Sequence, residues 1–564
     1  MLLGDGGSGG AVDVECRQAA DCSNRDPSDG EETCVDGMCG PGNVPPRVVS
    51  VTPEDEAVDV EPGGSIVIEL SEPLDEATVT ADNVQILDGH EPVTGELSYA
   101  NNHITFVPAR PLGLLASYEV AVSTAVTDVE GAGLLDAFSS HFKVRDGAWS
   151  VKPVVAGSFR ELAPMLPLDA DGNALLAWNG DASSSCPATA LWSNRGNLGS
   201  AKVLTYLTKQ FCDVVRTAVS PNGTGVISWF ENAGSATSEY RGGKWAPPTL
   251  RSARSDFYAT GGVAAADDGT THFFGTGEDV EVWSSSPQGA WPQQGHQLTA
   301  VMAGSNPHIA VADNGDVVAT WVAFDGAEVE VFVATYSSDS SSWSDAVALP
   351  GSSTGGSASA VRGMLGVVFD AERQPAVIWQ RDDSIVVSRF VALQHAWSGP
   401  VSIDGGLSGF PRVNSDAEGP PLVFDGQSLV AAFTAKSANQ YNTYVTRYDV
   451  DNDAWTVPAP INDAATAGTS RMPRMTADAH GNLLVVWAMP SKTAGVFNLA
   501  YNRLDAASDA WLGPKTITGA AMKAADLPDG AGRYVMGGNS GGLAALAFTD
   551  VGSDLLNLRL ASFY

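Results

Sequence analysis

The chain has 564 residues, only 17% of them charged, and 66 acidic against 31 basic residues leave a formal net charge of −35. That length exceeds what one hydrophobic core usually serves, so several domains or a repeat array are expected. The charge argues against nucleic acid and anionic membrane surfaces as partners and suits solubility outside the cell, and no run approaches the roughly 18 apolar residues that span a bilayer.

Residues 1–13 read as a flexible tether, because LLGDGGSGG is rich in Gly and Ser. The stretch resembles the segment behind the lipid-bearing cysteine of bacterial lipoproteins, which implies a lipid anchor lost from this chain. Residues 14–43 contain ECRQAADCSNRDPSDGEETCVDGMCG, with Cys16, Cys22, Cys34 and Cys39 among few core-forming residues. Such a segment folds only with staples. Zinc is the weaker reading, since there is no CxxC and no histidine in the stretch. Disulfides are expected, and with them export. Pairing among the four stays open, Cys16–Cys34 with Cys22–Cys39 being one arrangement, and Cys186 and Cys212 are left to each other by elimination. The stretch resembles the short Cys-rich modules near the start of many secreted bacterial proteins.

Residues 44–144 alternate apolar and polar positions in short runs, VVSVTP, SIVIELS, NVQILDG, HITFVPA and YEVAVST, separated by turn residues. This spacing predicts a β-sandwich. The run PPRVVSVTPEDEAVDVEPGG, a later ITFVPA, and YEVAVST followed by DVEG resemble the bacterial Ig-like domains. The resemblance implies a spacer in a surface protein.

From residue 145 the chain repeats. A turn and strand ending in an aromatic recur in DADGNALLAW, SPNGTGVISW, ADNGDVVATW, AERQPAVIW and DAHGNLLVVW. With weaker copies they align Trp178, Trp229, Phe274, Trp321, Trp379, Phe433, Trp487 and Phe548, a mean period of about 53 residues. A second element centres on Leu198, Trp245, Trp291, Trp343, Trp397, Trp455 and Trp511; its eighth copy, GAWSVKPVV around Trp149, precedes the first repeat, while the chain ends in LLNLRLASFY. Period-2 strands at this spacing exclude a helical solenoid. Residues 145–564 are therefore expected to form an eight-bladed β-propeller with permuted ring closure, one blade sharing strands from both ends and so protecting its edges. The repeated aromatics are read as core.

Chemical motifs are weak. The turns DADG and DDG lack the aromatic spacing of sialidase Asp boxes, and the tryptophan-docking run of quinone dehydrogenases is missing. GNSGG around Ser540 matches a nucleophile pattern, but a serine elbow needs a strand-to-helix turn in an α/β sheet. DVDND sets Asp449, Asp451 and Asp453 at alternate positions as calcium loops do, but without the central glycine or distal glutamate; a polar loop explains the run, with Ca2+ the alternative. No other metal and no cofactor is implied.

One column carries more. Seven residues before each turn glycine stand Met165, Arg216, Gly262, His308, Arg412 and Arg474, so three arginines and a histidine share one repeat position in a chain poor in basic residues. On the innermost strand of each blade they would face the central funnel, either as solvated strand ends with local salt bridges or as a ligand site. The chain is thus read as an all-β, monomeric, secreted or envelope-attached bacterial recognition protein that binds a glycan or a protein at the cell surface. A propeller glycosidase or polysaccharide lyase acting on acidic sugars is the competing reading, and a structural surface-layer component the third.

Overall fold

Alternating apolar residues become strands almost everywhere: the described residues hold β-strands, turns and two three-residue 3-10 helices, Glu76–Thr78 and Ala392–Gln394. The computed structural model describes residues 33–35, 38–40 and 43–564, apart from 158, 163–164, 181–187, 195–196, 201, 205–211, 232–233, 253–261, 277–279, 300–302, 326–327, 356–364, 382, 411–420, 438–439, 463–469, 524–533 and 551–556. Among these no helix is long and apolar enough to cross a membrane. The chain divides into two compact units, residues 1–145 and 146–564.

In the first unit, Thr33–Val35 and Met38–Gly40 form a hairpin that sets Cys34 opposite Cys39. Cys16 and Cys22 lie outside the described residues, as does Cys186. Beyond the hairpin lies a sandwich. One sheet has the order Val48–Thr52, Ile66–Leu70, His103–Pro108, Gly95–Ala100. The other joins Ala57–Val60, Phe138–Val144, Ser117–Val122, Val84–Asp88 and Glu91–Pro92. Period-2 alternation turns Ile66, Ile68, Ile104, Val84, Ile86, Val120 and Phe142 inward, all buried.

In the second unit the described residues form eight antiparallel sheets, numbered here 1 to 8 from the repeat of Trp178 to that of Phe548. Sheet 2 is representative: Cys212–Val219 is innermost, Gly225–Glu231 and Gly234–Arg241 follow, and Lys244–Trp245 and Thr249–Ser252 form the outer strand. The second strand of each sheet carries the aligned aromatic. Trp178, Trp229, Phe274, Trp321, Trp379, Phe433, Trp487 and Phe548 are all buried, each contributing about 1.5–3 kcal/mol by leaving water. They are core, as the repeat predicts.

Neighbouring sheets share apolar clusters. Leu175 and Ala177 of sheet 1 pack with Trp229 of sheet 2, Phe274 of sheet 3 with Trp321 of sheet 4, and Val430 of sheet 6 with Trp487 of sheet 7. Leu176 and Trp178 of sheet 1 pack with Val535, Ala547 and Leu560 of sheet 8, so the series returns to its start in a propeller-like ring. Inner strands approach closely there: a Cβ on Gly537 would stand 1.7 Å from the Leu166 carbonyl oxygen, so glycine is required. Sheet 8 has the order Trp149–Gly157, Asn557–Phe563, Ala544–Thr549, Tyr534–Gly538. The start of the unit thus pairs with the end of the chain.

In several sheets the turn between the first two strands is held by a side-chain acceptor at its first residue. Asp169, Asp370 and Asp478 each accept through Oδ1 from the backbone N–H groups two and four residues on, at 2.7–3.0 Å. Asn539 does the same. These Asx turns fix where their inner strands end.

Candidate functional site

The residue four positions before each of these turns lies at the ring's inner wall. In sheets 1 to 7 it is Met165, Arg216, Gly262, His308, Gly366, Pro421 and Arg474, and all seven line one cavity of about 410 Å3. Alignment by turn glycines had placed Arg412 in this column. Residue 412 lies outside the described residues, and the turn of sheet 6 is Asp425–Ser428, a residue shorter than the others. Pro421 therefore holds the position that Arg412 was expected to hold. The cavity brings Arg216, His308 and Arg474 together.

Local irregularity precedes each of these side chains. The pairing register shifts between Asp213 and Val215, between Ser305 and His308, and between Arg471 and Arg474. Such β-bulges bend a strand and re-aim the side chain that follows. At Arg474 the backbone also passes through Met472 with φ 56°, and the Tyr534 hydroxyl donates to the Met472 carbonyl. Sequence patterning gives no sign of these bulges.

The electrostatics differ from a ring of four cations. Burial, and then the nearby Arg216 guanidinium, push the His308 imidazole down to about 3, so it is neutral at physiological pH and offers one donor and one acceptor. Among the described residues the column thus holds two arginines and a neutral imidazole. Arg474 is only 8% exposed and sits 6.0 Å from the Tyr534 ring; burial raises the Tyr534 phenol above its ordinary range. Arg216 donates through Nη1 to the Val215 carbonyl at 3.3 Å. Most of the remaining wall is apolar, with Leu166, Val263, Ile309, Leu365, Met475 and Met536.

The other sequence candidates fall elsewhere. Ser540 is an exposed residue of the β-turn between Tyr534–Gly538 and Ala544–Thr549, not a strand-to-helix elbow. Asp449 accepts from Asn452 within its own loop, and Asp453 accepts from Tyr448 and pairs with Arg389 at 3.6 Å. Among the described residues, the group whose ligand atoms converge within 4.8 Å is instead the exposed Asp55, Glu56 and His141. Cys212 opens the inner strand of sheet 2.

Residues 42–144 match the bacterial Ig-like domain. A search of the curated proteins found none that matches the chain. Among solved structures, the Dos1 propeller is similar at 8% identity and a TM-score of 0.41, over 74% of this chain and 94% of that one. The propeller domain of the Trilobed protease from Pyrococcus furiosus is similar at 11% identity and a TM-score of 0.35, over 64% and 98%. The polysaccharide lyase Uly1 is similar at 10% identity and a TM-score of 0.37, over 61% and 90%. Similarity at this level carries no argument about ligand or activity.

Proposed function

We propose that residues 145–564 are an eight-bladed β-propeller closed by permuted strands, in an exported or envelope-attached bacterial protein that also carries an Ig-like spacer domain, and that its central cavity binds an anionic ligand. The reading rests on one observation: Arg216, His308 and Arg474, from three different sheets, line the same cavity in a chain of net charge −35. Two guanidinium groups there make a local positive well. Their planar forks suit carboxylate or sulfate, and the neutral imidazole can bond a hydroxyl beside it. Acidic glycans of the cell surface carry these groups together.

Binding is favoured over catalysis by a magnitude. A lyase would need a Tyr or His base near the arginines; an imidazole held near 3 is too weak a base to take a carbon-bound proton efficiently at neutral pH, and burial raises the Tyr534 phenol and so disfavours its phenolate. A glycosidase would need paired carboxylates, and the described lining of this cavity contains none. An array of acidic and neutral glycans probed with the purified protein tests the reading. Retention of uronate- or sulfate-bearing glycans in the channel is expected, lost in the Arg216→Ala, Arg474→Ala double variant; retention that the double variant leaves unchanged would refute it.

A further inference from the structure

Sheet 3 departs from the repeat at two positions that face sheet 4. The first lies two residues before the core aromatic on the second strand. In the other sheets it is Leu176, Ile227, Ala319, Val377, Ala431, Val485 or Leu546, all buried and apolar. In sheet 3 it is His272, fully buried, with Nδ1 2.8 Å from Ser284 Oγ and no hydrogen bond to Nε2 among the described residues. The second position lies opposite the outer tryptophan. Five sheets put an aromatic there, giving the pairs Tyr240–Trp245, Tyr336–Trp343, Phe390–Trp397, Tyr448–Trp455 and Phe563–Trp149 at 5.2–5.8 Å. Extended two residues beyond the His272–Ser284 pair, the register of sheet 3 brings Ser286 to that place.

The missing ring leaves a hollow. Between sheets 3 and 4 lies a cavity of about 630 Å3, lined among others by Asp268, Ser284, Ser286, His296, Tyr336 and Trp343, a size suited to a small ligand. Its floor is organised: the rings of Tyr336 and Trp343 flank His272 at 5.1 and 6.4 Å, and Trp343 Nε1 donates to Ser284 Oγ at 3.4 Å. In sheets 2, 5 and 6 the matching hydroxyls, Ser238, Ser388 and Thr446, bond a carbonyl of their own outer strand. Ser284 instead faces the cavity.

We infer that this cavity is a second ligand site, separate from the central channel, and that it takes a neutral saccharide. Tyr336 and Trp343 present flat apolar surface with polar tips, which matches the C–H-bearing face of a pyranose. The serine hydroxyls both donate and accept, as a ring of sugar hydroxyls requires. Asp268 can accept from a sugar hydroxyl and, with the surrounding negative charge, repels anions. No Lys or Arg is among the described lining residues, so an acidic glycan has no counter-charge here.

The test uses the full chain and four neutral trisaccharides, cellotriose, xylotriose, mannotriose and laminaritriose, followed by saturation-transfer NMR and tryptophan fluorescence. At least one should bind. Ser286→Tyr restores the aromatic that other sheets carry, so it should melt no lower than the parent while weakening binding about tenfold or more. His296→Ala, at an exposed residue, should weaken it about twofold to fivefold without touching the core. The Arg216→Ala, Arg474→Ala double variant should bind the same trisaccharide unchanged, which separates this site from the channel. Absence of binding by all four at about 10 mM, or equal binding by the parent and both pocket variants, overturns the inference.

Discussion

The indole of Trp149 lies 5.2 Å from the ring of Phe563, tilted by 47°, and the two residues pair across the strands that begin and end the second unit. Tyr501 of sheet 7 completes the cluster at 6.2 and 6.0 Å from the two rings. Nearby, the buried Arg503 bridges Asp478 at 3.0 Å and Asp146 at 3.4 Å. Aromatic packing and a buried ion pair thus tie the start of the unit to its end.

Phe563→Ala should therefore cost roughly 3–5 kcal/mol, the range for truncating a buried aromatic. A chain beginning at residue 158, which lacks Trp149 and its strand, should lose far more propeller stability than one beginning at residue 44. Thermal melts of both would decide it, and equal melting temperatures would contradict the closure.

Asp478 serves two structures at once, its own turn through Oδ1 and Arg503 through Oδ2. Asp478→Ala leaves a buried guanidinium with Asp146 as its remaining carboxylate and unties the turn, so a loss of roughly 3 kcal/mol or more is expected in denaturant unfolding. Asp370→Ala also removes a turn acceptor but no such buried pair, and should cost about 1 kcal/mol.

Burial also makes the fold acid-sensitive. It depresses the His272 imidazole to about 4, below its ordinary value near 6.5, so the unfolded chain binds the proton more readily. The stability from this group is complete above about pH 6.5 and is lost as pH falls toward 4. His272→Val, the residue sheet 5 uses at Val377, removes that loss. Relative to the parent it should gain about 2 kcal/mol between pH 7 and pH 5 in urea unfolding, and a constant difference would contradict the assignment.

Strand alternation, the aromatic period and the Ig-like run made the all-β architecture and the buried aromatics legible in the sequence, because each depends on side chains that recur at fixed spacing. The arginine column was legible only in part. Its alignment counted back from turn glycines, and in sheet 6 it used Gly419, whereas the turn between the first two strands is Asp425–Ser428, so the repeat position falls on Pro421 rather than Arg412. The neutral state of His308 depends on what surrounds it in space, and the bulges before Arg216, His308 and Arg474 depend on pairing partners far along the chain. Neither leaves a local pattern. The hollow between sheets 3 and 4 arises from two substitutions, His272 and Ser286, that stand out only once the strands are in register.

All six cysteines are expected to be oxidised, with Cys186 joined to Cys212 and two bridges among Cys16, Cys22, Cys34 and Cys39. Intact mass after thiol alkylation without reductant should show no adduct. Two or more alkylated thiols would contradict the bridges.

Arg216 and Arg474 are proposed to hold an anion in the central cavity, and calorimetry with tetragalacturonate on the parent and the Arg216→Ala, Arg474→Ala double variant decides whether they do. Each charge-assisted contact should be worth about 1.5 kcal/mol in a partly shielded site, so the double variant should lose about a hundredfold in affinity, and added salt should weaken the parent. Because His308 is already neutral, lowering the pH from 8 to 6 should leave the parent's affinity flat rather than raise it. Equal affinities in the two proteins, or no heat of binding in the parent, would contradict the account.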